Sequence, residues 1–304
     1  MPDSTAPSRS PRHRQHAEGI GVAVVGAGTM GRAIAAGFAR SGMTTHLVSR
    51  DPAHAMPAPA GVLLVGTLPD VAPTLIVEAI PEDLDLKIAL FRAVEERYDS
   101  EAAPLMASNT SGLPLQDIAD RLARPELFLG IHWFHPAAEL PMVESVRVAQ
   151  TTQETLDTAL DLLRDGGWDS IVVPRPVPGA VVNRLQHAIL HEAYHLMAEG
   201  LASVEDIDRA ARWLLGPRMC IAGLLEQKDL AGLSGHILAQ RSIVPDLCHD
   251  AEPNAAVQAM LARGETGARA GRGFYDWEGR DADAAITAAA ARLRRLIAHL
   301  GDPT

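Results

Sequence analysis

The sequence predicts an α/β fold: a doubly wound sheet of mostly parallel strands, followed by an all-α C-terminal domain. Three observations predict it. A glycine turn, Gly26-Ala27-Gly28-Thr29-Met30-Gly31, joins an apolar run at 20–25 to a helical pattern. Short apolar runs and amphipathic stretches alternate through the first half of the chain. After a proline-dense run, Val172-Val173-Pro174-Arg175-Pro176-Val177-Pro178-Gly179, strand signals give way to helical ones.

A G-x-G-x-x-G between strand and helix is the phosphate-binding turn of a Rossmann-type dinucleotide-binding domain. Gly26 allows the tight turn, Gly28 lets the backbone approach a pyrophosphate, and Gly31 lets helix and strand pack closely. Thr29 and Met30 open the helix, whose free N–H groups and dipole favour an anion. Further strands are expected at 44–49, 62–66, 74–80, 104–108, 127–133 and 142–148, with helices at 29–41, 84–98, 114–123 and 152–166. The proline run places a domain boundary at 176/177, giving a dinucleotide-binding domain over 19–176 and a helical domain over 177–304. Helices are expected there at 180–199, 203–215, 224–241, 253–263 and 283–299. Ser203 with Glu205 and Asp206 marks a capped start.

Composition narrows the function. A net charge of −11 argues against nucleic acid and against an anionic membrane surface. No apolar run reaches membrane-spanning length. Residues 1–18 lack the apolar core of a signal peptide and read as a disordered arm, so a cytoplasmic location is expected. Cys220 and Cys248 have no CxxC spacing, so neither a disulfide scaffold nor a zinc site is expected. Lys87 and Lys228 are the only lysines. Any anion clamp must come largely from arginine and backbone.

His132 closes the apolar run Gly130-Ile131-His132, and Glu144 lies in the next, Met142-Val143-Glu144. A hairpin centred on Ala138 places residues 132 and 144 face to face. A carboxylate beside an imidazole fixes the tautomer and stabilises the charged form, as a general acid or base requires. The alternative is a histidine packed at a strand end beside an unrelated acid.

Several segments, in this order, carry a likeness to a known family: the glycine turn, Val77-Glu78-Ala79-Ile80 with Lys87, Ser108-Asn109-Thr110-Ser111, the His132 segment, Met142-Val143-Glu144, Pro178-Gly179-Ala180-Val181-Val182-Asn183-Arg184, and Gly271-Arg272-Gly273-Phe274-Tyr275. From about residue 20 to about 277 the chain resembles the short-chain L-3-hydroxyacyl-CoA dehydrogenases. The resemblance implies His132 as catalytic base with Glu144 as its partner. It makes Ser111 a hydroxyl shared by substrate and nicotinamide, and Asn183 an amide that holds the substrate oxygen. Glu82 and Lys87 match residues lining the ribose and nicotinamide end, and Arg269 a basic residue that reaches the cofactor. It also implies a homodimer formed through the helical domain.

Three departures bear on cofactor and substrate. His135 stands where the family usually has asparagine. Ser49 and Arg50 follow the second strand where NAD enzymes of the family carry an acid. That pair suits a 2′-phosphate, so NADP is the expected preference, with Asp51 close enough to leave NAD open. Finally, the path from Arg50 to Gly61 through Pro52, Pro57 and Pro59 leaves no room for the lysine-bearing helical hairpin that contacts coenzyme A. The acyl carrier is then CoA held differently, an acyl carrier protein, or nothing. Arg184 and Arg218 are candidates to meet a substrate carboxylate or phosphate. Three functions follow: a hydroxyacyl dehydrogenase or ketoreductase, a dehydrogenase of a small free hydroxy acid, or a nucleotide-binding relative without turnover. Retention of His132, Glu144, Ser111 and Asn183 weighs against the third.

Overall fold

The computed structural model describes residues 21–300, so the expected arm at 1–18 lies outside the described residues. Contacts divide the chain into a sheet unit ending at Val181 and a helical unit, Val182–Leu300.

The sheet unit begins with β1 (Gly21–Val25), α1 (Thr29–Arg40), β2 (Thr44–Val48), β3 (Val62–Val65) and β4 (Leu75–Glu78). It continues with α2 (Leu84–Arg97), β5 (Leu105–Ser108), α3 (Leu115–Ala119), β6 (Phe128–His132), β7 (Met142–Arg147), α4 (Gln153–Asp165) and β8 (Asp169–Val173). The eight strands lie in the order β3-β2-β1-β4-β5-β6-β7-β8. Pairing is parallel except at β6–β7, which is antiparallel. Strand order reverses between β1 and β4, the point at which such sheets bind ligands beyond their carboxyl ends. Val25, Glu78, Ser108 and Gly130 fall in one register row across β1, β4, β5 and β6. That row delivers the loops after four strands to a single edge.

The strands are apolar on both faces because helices cover both. Val22, Ala23, Val24, Leu75, Ile76 and Val77 are fully buried. Helix α1 packs Ile34, Ala35 and Phe38 inward. A Cβ at Gly37 would lie 2.1 Å from the Trp168 ring, so glycine there lets the helix approach. Phe38, Trp133 and Trp168 form an edge-to-face cluster with centroids 5.0–6.2 Å apart. Side-chain oxygens of Asp83 and Thr152 accept from Leu86 N and Thr155 N and cap α2 and α4.

The structure adds β8 (Asp169–Val173), of which only Val172 and Val173 fall in the proline-dense run of the sequence reading. Asp169-Ser170-Ile171-Val172-Val173 is five residues long, starts polar, and stops at Pro174. Its strand character comes from parallel pairing with β7, where Val143 faces Ser170.

The helical unit contains α5 (Val182–Ala198), α6 (Val204–Ala210), a π-helical turn (Ala211–Leu215), α7 (Gly216–Ala222), α8 (Glu226–Ala231), α9 (Leu233–Ile243), α10 (Ala255–Ala262) and α11 (Ala282–Leu300). The single helix expected at 224–241 is two, divided at Gly232, whose φ of 92° is left-handed and ends α8. Helix α7 lies between the helices expected at 203–215 and 224–241; Pro217 occupies its first turn, where no intrahelical donor is required. None of the described residues of this unit is buried.

Candidate active site

The glycine turn leaves β1 with Gly26 at φ 116°. A Cβ at Gly26 would come within 2.3 Å of Ala79 O, and one at Gly31 within 1.8 Å of Gly26 O. Both glycines are therefore required by the turn itself. Gly28 is different: a Cβ there would meet nothing within 4 Å. Internal packing gives no reason for glycine at 28, whereas a pyrophosphate against the backbone does, so the turn fits a dinucleotide. Thr29 is exposed and Met30 half-buried at the start of α1.

At the end of β2, Ser49 is half-buried and Arg50 exposed. The Asp51 carboxylate accepts from His54 N and pairs with His54 Nδ1 at 2.8 Å, capping the loop. Among the described residues no helix lies between β2 and β3, so the hairpin is missing as the sequence indicated. The Arg32 guanidinium holds the replacement loop by donating to Met56 O and Pro57 O.

The ends of β4 and β5 meet in a charged network. Lys87 Nζ donates to Glu78 Oε1 at 2.5 Å and lies 3.2 Å from Glu82 Oε2; Glu78 and Lys87 are both buried. Glu82 Oε1 accepts from Thr110 Oγ1 at 2.5 Å, Ser111 N at 3.0 Å and Gly112 N at 3.2 Å. Partial burial works to raise the Glu82 carboxyl. The Thr110 hydroxyl, the Lys87 charge and the Gly112 N–H outweigh it and hold the group below the ordinary glutamate value. Ser111 is thus seated on a turn gathered around one carboxylate.

At the end of β6, His132 is the direct ladder partner of Glu144 on β7. His132 Nδ1 lies 3.2 Å from Glu144 Oε2, with the carboxylate fully buried and the imidazole 12% exposed. A carboxylate only accepts, so the proton of neutral His132 sits on Nδ1 and Nε2 is left to exchange a proton. Glu144 Oε1 accepts Val181 N at 2.8 Å. Asn109 Oδ1 accepts Trp133 N at 2.9 Å, which ties the loop after β5 to the end of β6. A cavity of about 290 Å³ opens here, lined by Ser111, Leu115, His132, Val146, Pro178 and Ala180 among others. Ala180 is the one non-glycine residue with positive φ among those described, at 42°.

The sheet unit therefore brings together Glu82, Lys87, Ser111, His132 and Glu144. His135 is exposed just beyond His132. The remaining sequence candidates belong to the helical unit: Asn183 and Arg184 are the second and third residues of α5, and Arg269 pairs with Asp283 at 2.9 Å. Arg218, also on that unit, donates to Leu214 O at 2.6 Å.

Comparison with known proteins decides the family. Residues 21–62 and 68–176 match the 3-hydroxyacyl-CoA dehydrogenase NAD-binding domain, and 179–277 match the C-terminal domain of the same enzymes. The chain belongs to the 3-hydroxyacyl-CoA dehydrogenase family. It is an oxidoreductase built on an NAD-binding domain. The chain is 34% identical over 213 residues to human mitochondrial hydroxyacyl-coenzyme A dehydrogenase, an alignment spanning 67% of this chain and 64% of that protein. It is 28% identical over 302 residues to 5-formyl-3-hydroxy-2-methylpyridine 4-carboxylate 5-dehydrogenase of Mesorhizobium japonicum, spanning 91% of this chain and 96% of that one. A solved structure of an enzyme of that name, an NAD+-dependent dismutase, superposes with a TM-score of 0.85 at 26% identity, covering 93% and 98% of the two chains. The 3-hydroxyacyl-CoA dehydrogenase of Archaeoglobus fulgidus gives 0.65 at 30% identity, covering 93% and 99%. The family match and the dismutase both point to NAD; neither supports the NADP preference expected from Ser49 and Arg50.

Sequence reasoning gave no role to Glu78, Ser108, Asn109 or Thr110: Glu78 holds Lys87 and Thr110 holds Glu82, while Ser108 donates to Glu78 and Asn109 accepts from Trp133 N beside His132. A carboxylate ending an apolar strand, as in Leu75-Ile76-Val77-Glu78, was the available signal.

Proposed function

We propose that this protein transfers hydride between a nicotinamide cofactor and the 3-hydroxy or 3-keto carbon of an acyl substrate held chiefly by its acyl part. One observation carries the reading: His132, backed by buried Glu144, shares a cavity with Ser111 at the carboxyl edge of the sheet, beside a glycine turn shaped for a dinucleotide. When bound, the cofactor supplies the hydride acceptor or donor. In oxidation His132 Nε2 accepts the hydroxyl proton; in reduction the imidazolium returns it, and Glu144 stabilises that charge. Ser111 orients the substrate oxygen. Asn183 is proposed to assist it, and Glu82, Lys87, His135 and Arg269 to serve the cofactor.

The bypassed hairpin and the scarcity of lysine direct recognition away from the nucleotide end of CoA. The test compares kcat/KM for one acyl group carried by CoA and by N-acetylcysteamine. Similar values support the reading. A hundredfold loss without the nucleotide, about 2.7 kcal/mol of transition-state binding, overturns it. Carriage by an acyl carrier protein is tested in the same series.

A second reading, a small free hydroxy acid or aldehyde, is favoured by the higher TM-score to the pyridine-carboxylate enzyme and its coverage of nearly the whole chain. Free acids reacting at least as well as thioesters would select it. The NADP preference rests on Ser49 and Arg50 alone, since Asp51 is committed to His54.

The proposed partner is a second copy of this chain, through the helical unit. That unit buries none of its described residues and leaves Trp213, Ile221 and Leu225 72%, 83% and 84% exposed. Burying each such side chain is worth about 1.5–3 kcal/mol, which a second copy supplies. Sedimentation equilibrium showing only monomer at micromolar concentration would exclude it.

A further inference from the structure

We propose that Glu78 is a positioning residue of the active site, acting through Lys87 and Glu82 on the turn that carries Ser111. The inference rests on the role given to Ser111 above, and deepens it.

Glu78 ends the central strand β4 with no exposed surface. A carboxylate there is costly unless every oxygen is used. Oε1 accepts from Lys87 Nζ and from Ile80 N at 2.7 Å, and Oε2 accepts from Ser108 Oγ at 2.6 Å. The Lys87 ammonium is thereby fixed 3.2 Å from Glu82. Glu82 in turn draws in four donors of residues 110–112, among them the Ser111 hydroxyl at 3.4 Å. Each side chain in this series is engaged at both ends, from the middle of the sheet to Ser111.

Two carboxylates share one ammonium, so the arrangement is not a simple pair. Stability does not explain it, because an apolar pair of similar volume serves a core as well or better. What the charged series adds is a fixed direction for Glu82. Without the Glu78 charge, Lys87 is buried with only the partly exposed Glu82 opposite it, and the ammonium is free to draw Glu82 inward, off the Ser111 turn.

The experiment uses the full chain with two variants, Glu78→Gln and Glu78→Gln/Lys87→Met. Four quantities are measured: Tm, NADH affinity by its fluorescence, kcat, and the Ser111 and Gly112 amide signals by NMR. The single variant is expected to lower Tm, to weaken NADH binding through Lys87 and Glu82, and to reduce kcat at saturating NADH tenfold or more. The double variant removes the buried charge pair, so Tm recovers while kcat stays low and both amide signals remain displaced. Recovery of kcat together with Tm would make Glu78 merely structural and overturn the proposal, as would a single variant with wild-type kcat. Should the single variant not fold, Glu78→Asp, which keeps the charge and shortens its reach while leaving Lys87 in place, decides by the same kcat and amide criteria. If the wild type turns over no substrate offered, the proposed function fails, and the two amide signals still test Glu78.

Discussion

His132 and Glu144 are direct partners in the antiparallel β6–β7 ladder, and their side chains meet with Nδ1 and Oε2 3.2 Å apart. The carboxylate's other oxygen accepts Val181 N, the last residue of the sheet unit and two positions before Asn183. Glu144 therefore fixes both the imidazole and the backbone that leads into α5. Glu144→Gln is expected to lower kcat less than His132→Gln, because it acts through the histidine. Its stability cost is expected at about 1–3 kcal/mol, as a fully buried group loses a charged acceptor. Urea unfolding and steady-state kinetics on both variants check this; equal kcat losses would contradict the order.

The glycines of the turn separate packing from binding. Gly28→Ala places its methyl in open space, so the protein is expected to fold with near-normal Tm and to lose dinucleotide affinity. Gly31→Ala drives a methyl into Gly26 O, and is expected to lower Tm as well. Calorimetry and NADH fluorescence titration on the two variants distinguish the cases. Unchanged NADH binding in Gly28→Ala would place the pyrophosphate elsewhere.

The proposed NADP preference rests on two side chains. If Ser49 and Arg50 receive a 2′-phosphate, the wild type prefers NADPH and Ser49→Asp/Arg50→Gln shifts preference toward NADH. Ratios of kcat/KM for the two cofactors measure it. A wild-type preference for NADH, unchanged in the double variant, would leave Arg50 without a role in selection.

Glu82 gives the site an acid limit. Its folded carboxyl titrates below the ordinary value of 4.5, so the stability it contributes is present above that value. That stability is lost as pH falls through the lower folded value. The stability difference between wild type and Glu82→Gln is therefore expected to shrink as pH is lowered below about 4.5. Urea midpoints at a series of pH values test this. A difference that holds constant or grows on acidification would show that Glu82 is not stabilised as its contacts indicate.

The dyad was legible because a hairpin's register follows from its centre: residues equally distant from Ala138 must face each other, and residues 132 and 144 do. The glycine turn was legible because two of its glycines are demanded by backbone contacts and the third leaves the backbone open to a dinucleotide. Strand β8 was hidden, since Asp169 and Ser170 carry no strand signal and only the β7 edge gives them a partner. The Glu78–Lys87 pair was hidden for a different reason. Its members are nine residues apart, and the loop between them, through Pro81, sets their approach. The division of 224–241 was within reach, because Gly232 stands at the break.

The most direct test of the account is turnover in His132→Gln. The variant should keep wild-type Tm and NADH affinity while kcat on the best substrate falls on the order of 10²–10⁴-fold, the usual contribution of a positioned acid or base. A folded, NADH-binding His132→Gln that retains most of its turnover would show that the proton is exchanged elsewhere and would contradict the account.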